Sequence, residues 1–146
     1  MKICFFGNKM TSRKLLDGLL KKNIKVCFLI TLDKEKSLKA NIAGKDDLLI
    51  KFAADQNISI YNPQTYSLLD KDDINFFYEN KFDLGICTGW QRLIPEKVLR
   101  NFRYGVYGWH GSGFEFPNGR GRSPLNWSIR LGLNKIFHNC FRYSGG

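Results

Sequence analysis

Long apolar runs are missing from this 146-residue chain. The longest, such as Val26 to Ile30, falls far short of the roughly 20 apolar residues that a membrane-spanning helix needs. The N-terminus lacks a charged start followed by an apolar run and a small-residue cleavage site, so no secretory signal is expected. No CxxC pair exists among Cys4, Cys27, Cys87 and Cys140, which argues against a zinc knuckle or a dithiol redox motif. Each cysteine sits among strand-like apolar residues, and four buried, reduced thiols in a cytoplasmic protein is the expectation. The glycine spacing of a dinucleotide loop is absent as well. After the first strand-like run comes Gly7-Asn8-Lys9-Met10-Thr11-Ser12, with one glycine where three are needed, and NAD binding has no support. Internal repeats, low-complexity segments and linkers are also lacking, which points to a single domain.

What is present is a globular composition, 43% hydrophobic and 25% charged, with a basic excess of +10. The lysines, from Lys21, Lys22 and Lys25 to Lys34, Lys36, Lys39 and Lys45, are mixed with acids and asparagine. That spread reads as solvated helix faces and loops rather than a basic arm for nucleic acid. The arginines differ, because Arg92, Arg100, Arg103, Arg120, Arg122 and Arg130 all lie in the second half and point to an anion there.

Apolar runs at Lys2–Phe6, Lys25–Thr31, Ile58–Tyr61, Asp83–Thr88, Val106–His110 and Lys135–Tyr143 predict six strands. Between them, helical spacing places Leu15, Leu16, Leu19 and Leu20 on one face of a first helix capped by Thr11 or Ser12. Further helices are expected over about Lys45–Gln56, with Leu49, Phe52 and Ala53 buried, and over Asp70–Asn80, with Ile74, Phe77 and Tyr78 inward. Two more start at Pro95 and at Ser123-Pro124. This alternation predicts an α/β fold, a Rossmann-like and mostly parallel sheet with helices on both faces. In such a sheet the loops after Phe6, Thr88 and His110 gather at one edge, where ligands bind.

The third of those loops is the richest in chemistry. Gly105 to Gly113 carries His110 between glycines, and Gly119-Arg120-Gly121-Arg122-Ser123-Pro124-Leu125-Asn126-Trp127 follows. Glycine permits close backbone approach to a ligand. A histidine leaving a strand tip there serves equally as a structural residue or as a general acid or base. Arg120 and Arg122 suit a phosphate or carboxylate. At the first loop, Asn8 with Thr11 and Ser12 at a helix N-terminus suits a phosphate, although an ordinary strand–turn–helix explains them as well. Trp90, Trp109 and Trp127 are core or ligand-wall candidates, with Trp90 the best placed for a ligand, and His138 reads as a half-buried strand residue without a role.

Gly89-Trp90-Gln91-Arg92-Leu93-Ile94-Pro95, then His110-Gly111-Ser112, then Gly119 to Trp127, at this spacing, resemble the N-terminal domain of the folate-dependent formyltransferases. That family includes methionyl-tRNA formyltransferase, glycinamide ribonucleotide transformylase and the sugar-nucleotide N-formyltransferases. The opening Met1 to Gly7 is similar to the family's first strand. The resemblance implies transfer of a formyl group from 10-formyltetrahydrofolate, without a metal, to a primary amine on a small molecule or an aminoacyl-tRNA. It makes His110 the residue that serves the tetrahedral intermediate. Trp90, Gln91, Arg92, Leu93 and Ile94 match the folate-gripping loop, with Leu93 and Ile94 as its apolar frame. Asn8, Ser112, Arg120, Gly121, Arg122, Ser123 and Asn126 are then expected around the acceptor.

Two departures from the family stand out. Gly108 occupies the position two before the histidine where the family commonly has Asn, and Asn126 or a backbone N–H is expected to substitute. The family's aspartate lies beyond the last strand, whereas the last acidic residue here is Glu115, so the 146 residues read as one catalytic domain cut short at its C-terminal end. A catalytically impaired ligand-binding relative, or a basic RNA-binding α/β domain, are the alternative readings.

Overall fold

A computed structural model describes residues 1–121 and 123–145. Its elements run β1 (Ile3–Phe6), α1 (Met10–Lys21), β2 (Phe28–Ile30), α2 (Lys34–Lys39), α3 (Leu49–Asp55), β3 (Ser59–Tyr61), α4 (Lys71–Asn80), β4 (Leu84–Cys87), α5 (Glu96–Leu99), β5 (Val106–Ser112), α6 (Pro124–Arg130) and β6 (Phe137–Arg142). The strands form one sheet in the order β3-β2-β1-β4-β5-β6, parallel throughout except for the antiparallel pair of β5 and β6. This is the mostly parallel α/β sheet expected from the alternating pattern.

Because both faces of the sheet are covered, β1 is buried at every position and reads as a continuous apolar run. Its side chains alternate between two cores. Ile3 and Phe5 join Leu16 of α1 with Leu49 and Ala53 of α3. Cys4 and Phe6 join Phe77 of α4, Val98 and Leu99 of α5, and the aromatic group Phe82, Trp90 and Phe102. Phe6 stacks on Phe77 at 5.7 Å and meets Trp90 edge-on at 6.0 Å, so the second core reaches up to the loop after β4.

The chain builds outward from β1 to β3 and then returns to β4 on the other side of β1. That reversal opens a crevice between the loops after β1 and β4. β5 pairs with β4 only from Val106 to Gly108, so Trp109 to Ser112 overhang the parallel sheet and are paired with β6 alone.

Several local expectations are corrected. Lys9, not Thr11 or Ser12, is the N-cap of α1; Ser12 lies inside the helix, buried, where its Oγ accepts the Lys9 N–H at 3.1 Å and donates to the Thr88 carbonyl at 2.7 Å, tying the first loop to the loop after β4. The stretch after β2 forms a short helix, α2, because Asp33 caps it through the Lys36 N–H at 2.7 Å. The next helix starts at Leu49 rather than Lys45, since Lys45 bridges to Lys9 and the Asp46 N–H donates to the Asn8 carbonyl at 2.9 Å. Tyr78 is exposed, not inward. Of the four thiols only Cys4 and Cys87 are buried, and Cys140 is exposed because alternate β6 residues face outward. His138 is exposed for the same reason.

Candidate active site

The crevice opens into a cleft of about 850 Å³. Lys9 after β1, Ala43 after α2, Trp90 to Leu93 after β4, His110 on β5, Phe116, Arg120, Gly121, Ser123 and Pro124 beyond it, and Phe141 to Ser144 at the end of β6 line it. Lys9, Arg92, Arg120 and Arg142 stand in this lining with no Asp or Glu among the described lining residues. Their summed field favours an anionic ligand.

His110 lies on the β5 overhang and is half-buried. Its Nε2 is 2.8 Å from the Gly119 carbonyl oxygen. Gly119 adopts φ +66°, and a Cβ there would lie 1.9 Å from the Ser112 hydroxyl, so only glycine lets the loop fold back onto the strand. Ser112 is buried, and its Oγ accepts the Phe114 N–H at 3.1 Å. It lines a second, smaller cavity of about 270 Å³ with Phe114, Arg120 and Trp127 rather than the cleft.

The loop after β4 is held by Tyr66. Its hydroxyl accepts the Gln91 N–H at 2.8 Å, its ring meets Trp90 edge-on at 4.7 Å, and the Arg92 guanidinium lies over it at 5.5 Å. Burial raises the Tyr66 phenol, against the lowering effect of the Gln91 bond, and keeps it protonated. Trp90 is core as well as wall: it is buried, yet it borders the cleft, and its indole N–H has no partner among the described residues.

Beneath Phe141 and Tyr143 of the lining runs a row across three strands. Cys87, Gly108 and Phe141 are successive register partners on β4, β5 and β6 and share one face. The missing side chain at Gly108 leaves a trough that the ring of Tyr143 fills: a Cβ on Gly108 would lie 2.8 Å from Tyr143 Cε2. The Tyr143 hydroxyl is 3.3 Å from Cys87 Sγ. Burial pushes the Cys87 thiol up to about 12 and raises the Tyr143 phenol well above its usual range. Both stay protonated at neutral pH.

The structure therefore gathers most of the expected site residues and sends some elsewhere. His110, Trp90, Gln91, Arg92, Leu93, Arg120, Gly121 and Ser123 border one cleft. Ile94 does not: it is 3% exposed and packed in the core, while Leu93 beside it is 85% exposed at the cleft. Asn8 is fully buried and faces β2, where its Oδ1 accepts from Leu32 N at 2.9 Å and Thr31 Oγ1 at 3.1 Å. Asn126 sits exposed on α6 outside both cavities, which removes it as the substitute for a side chain at Gly108. Arg122 lies outside the described residues. Lys9, Phe116, Phe141, Arg142, Tyr143 and Tyr66 were not among the expected site residues. The antiparallel return of β6 is what brings Phe141 to Tyr143 into the cleft, and neither apolar pattern nor motif announces it. No group of three His, Cys, Asp or Glu able to hold a metal occurs among the described residues, and no helix among them is long and apolar enough to cross a membrane.

Set against known structures, this architecture is the formyltransferase type of the Rossmann-like fold. A phosphoribosylglycinamide formyltransferase from Bacillus halodurans superposes with a TM-score of 0.75 at 14% identity, over 100% of this chain and 73% of the other. A formyltetrahydrofolate deformylase from Burkholderia mallei gives 0.65 at 10% identity, over 98% of this chain and 49% of the other. At such identities the likeness is one of fold. Sequence narrows it: the chain resembles the N-terminal domain of the methionyl-tRNA formyltransferases. It is 29% identical to that of Prochlorococcus marinus over 136 residues, 90% of this chain and 39% of the relative, and 29% identical to that of Mycoplasma genitalium over 135 residues, 92% and 41%. The chain thus spans about two fifths of the length of these relatives. No protein-family model matches it.

Proposed function

We propose that this domain transfers a formyl group from 10-formyltetrahydrofolate to the primary amine of an anionic acceptor, a methionyl-tRNA or an amino-sugar nucleotide. The observation that carries this reading is the position of His110 across one cleft from the Trp90 to Leu93 loop, under a rim of Lys9, Arg92, Arg120 and Arg142. The loop offers backbone donors and acceptors, with Leu93 and Trp90 beside them, which suits the amide-like edges and flat faces of a pteridine ring. The cations suit acceptor phosphates. In the reaction the amine nitrogen bonds to the formyl carbon, and the carbonyl oxygen takes up charge. Collapse then breaks the bond to the donor nitrogen, which receives the proton the amine loses. His110 is the group that relays that proton.

The test is to supply the chain with 10-formyltetrahydrofolate and either methionyl-tRNA or an amino-sugar nucleotide, and to follow the formylated amine by mass spectrometry while calorimetry follows folate binding. Formylated product supports the proposal. Folate binding without transfer would mark a binding domain of the same ancestry, and neither binding nor transfer would overturn the reading.

A further inference from the structure

The loop after β4 is rooted at both ends. The Ser12 hydroxyl donates to the Thr88 carbonyl at 2.7 Å, and Ile94 is packed in the core. Between them, from Gly89 to Ile94, the main chain makes one hydrogen bond among the described residues, from the Gln91 N–H to the Tyr66 hydroxyl at 2.8 Å. Resting on the formyl-transfer reading, we infer that Tyr66 is a positioning residue for the formyl donor. It pins the main chain of this loop through Gln91 and so sets donor affinity without touching the reacting atoms.

The contacts of Tyr66 run over three consecutive residues. Besides the bond to Gln91, its ring meets the Trp90 indole edge-on at 4.7 Å and carries the Arg92 guanidinium at 5.5 Å. Those three residues line the cleft and Tyr66 does not, so its influence on a ligand passes through the loop. The Gln91 N–H is spent on Tyr66, which leaves the other main-chain groups of the loop to grip a pteridine edge. Gln91, Arg92 and Leu93 are exposed, and packing alone does not fix them. Without the tie, a ligand has to order this segment as it binds and loses affinity accordingly.

Tyr66 is in turn held from behind. The Asp73 carboxylate on α4 is fully buried and accepts the Thr65 N–H at 3.0 Å, the Thr65 hydroxyl at 3.2 Å, the Gln64 N–H at 2.7 Å and the Tyr61 hydroxyl at 2.8 Å. These charge-assisted bonds fix the residue next to Tyr66. A line of support thus runs from α4 through Thr65 and Tyr66 to Gln91.

The experiment compares the natural chain with Tyr66→Phe, which keeps the ring against Trp90 and Arg92 and removes only the oxygen, and with Tyr66→Leu, which removes the ring as well. Binding of 10-formyl-5,8-dideazafolate is measured by calorimetry, steady-state formyl transfer alongside it, and amide exchange of the unliganded chains by NMR. Tyr66→Phe should bind the compound about five- to tenfold more weakly, the worth of one hydrogen bond. Its KM for 10-formyltetrahydrofolate should rise by a like factor with kcat within about twofold, the split expected when binding alone is lost. Its Gln91 amide should exchange about tenfold faster, and Tyr66→Leu should bind more weakly still. Undiminished affinity in Tyr66→Phe, an unchanged Gln91 amide, or a fall in kcat with KM held overturns the role of Tyr66 and leaves the formyl-transfer reading in place. Failure of the natural chain to bind the compound overturns that reading and the donor-positioning role with it.

Discussion

His110 and Gly119 are joined side chain to main chain, the imidazole Nε2 lying 2.8 Å from the Gly119 carbonyl oxygen. A carbonyl oxygen only accepts, so Nε2 carries the hydrogen and the neutral ring keeps Nδ1 as its base. His110→Gln is expected to lower kcat for formyl transfer by about 10²–10⁴-fold, with folate affinity held. Steady-state kinetics with calorimetry checks this, and undiminished turnover would remove His110 from the chemistry.

The same contact depends on a glycine. Gly119→Ala puts a methyl group 1.9 Å from the Ser112 hydroxyl at φ +66° and should cost about 1–3 kcal/mol, read as a lower Tm. Gly18, exposed in α1 with open space around its Cβ position, is the matched control. Gly18→Ala should instead stabilise the domain by about 0.5–1 kcal/mol. Equal effects at the two positions would contradict the packing described.

Neighbouring residues in the loop after β4 should separate cleanly. Ile94→Ala leaves a hole in the core and is expected to cost about 2–5 kcal/mol by urea unfolding. Leu93→Ala, at an 85% exposed position, should leave stability within about 0.5 kcal/mol and weaken folate binding severalfold. The opposite assignment of stability and binding would show the loop to be turned the other way.

Asp33 offers a pH signature. The Lys36 N–H, with help from Asn62, holds its carboxyl below the usual carboxylate range despite some burial. A lowered folded-state value means stability present above the unfolded value and lost as pH falls through the folded one. Asp33→Ala should therefore be less stable than the natural chain at pH 7, and the gap should close on acidification below the ordinary carboxylate range. Denaturant midpoints at several pH values test this; a gap constant with pH would exclude the charged cap.

The sheet was legible because its strands are buried on two faces and stand out as apolar runs, and the helices between them keep a clear period. The site was legible as far as motif residues project into the cleft. Ile94 and Asn8 were misplaced for one reason: a loop residue next to a ligand-facing one turns inward, and its chemical type does not say which way it points. Ile94 packs into the core that Val98 and Leu99 of α5 share, and Asn8 turns its Oδ1 to the chain after β2. Tyr143 escaped notice because its contact with Gly108 spans the antiparallel pairing of β5 with β6, a register that no local pattern encodes. The glycine at 108 was visible as a missing side chain, but what fills the gap belongs to the tertiary structure.

The overhang of β5 has a mechanical consequence. From Trp109 to Ser112 the strand has lost its parallel neighbour and is braced on one side only, by β6. His110 accordingly stands on a cantilevered two-stranded ribbon, while Trp90 opposite it is rooted in the body of the core. Two-stranded ribbons twist more strongly than wider sheets, so the width of the cleft is expected to follow the bending of this arm. Amide exchange should then run faster at Trp109 to Ser112 than at Gly85 to Cys87 of the same sheet, and a ligand bridging the two walls should slow it by clamping the arm.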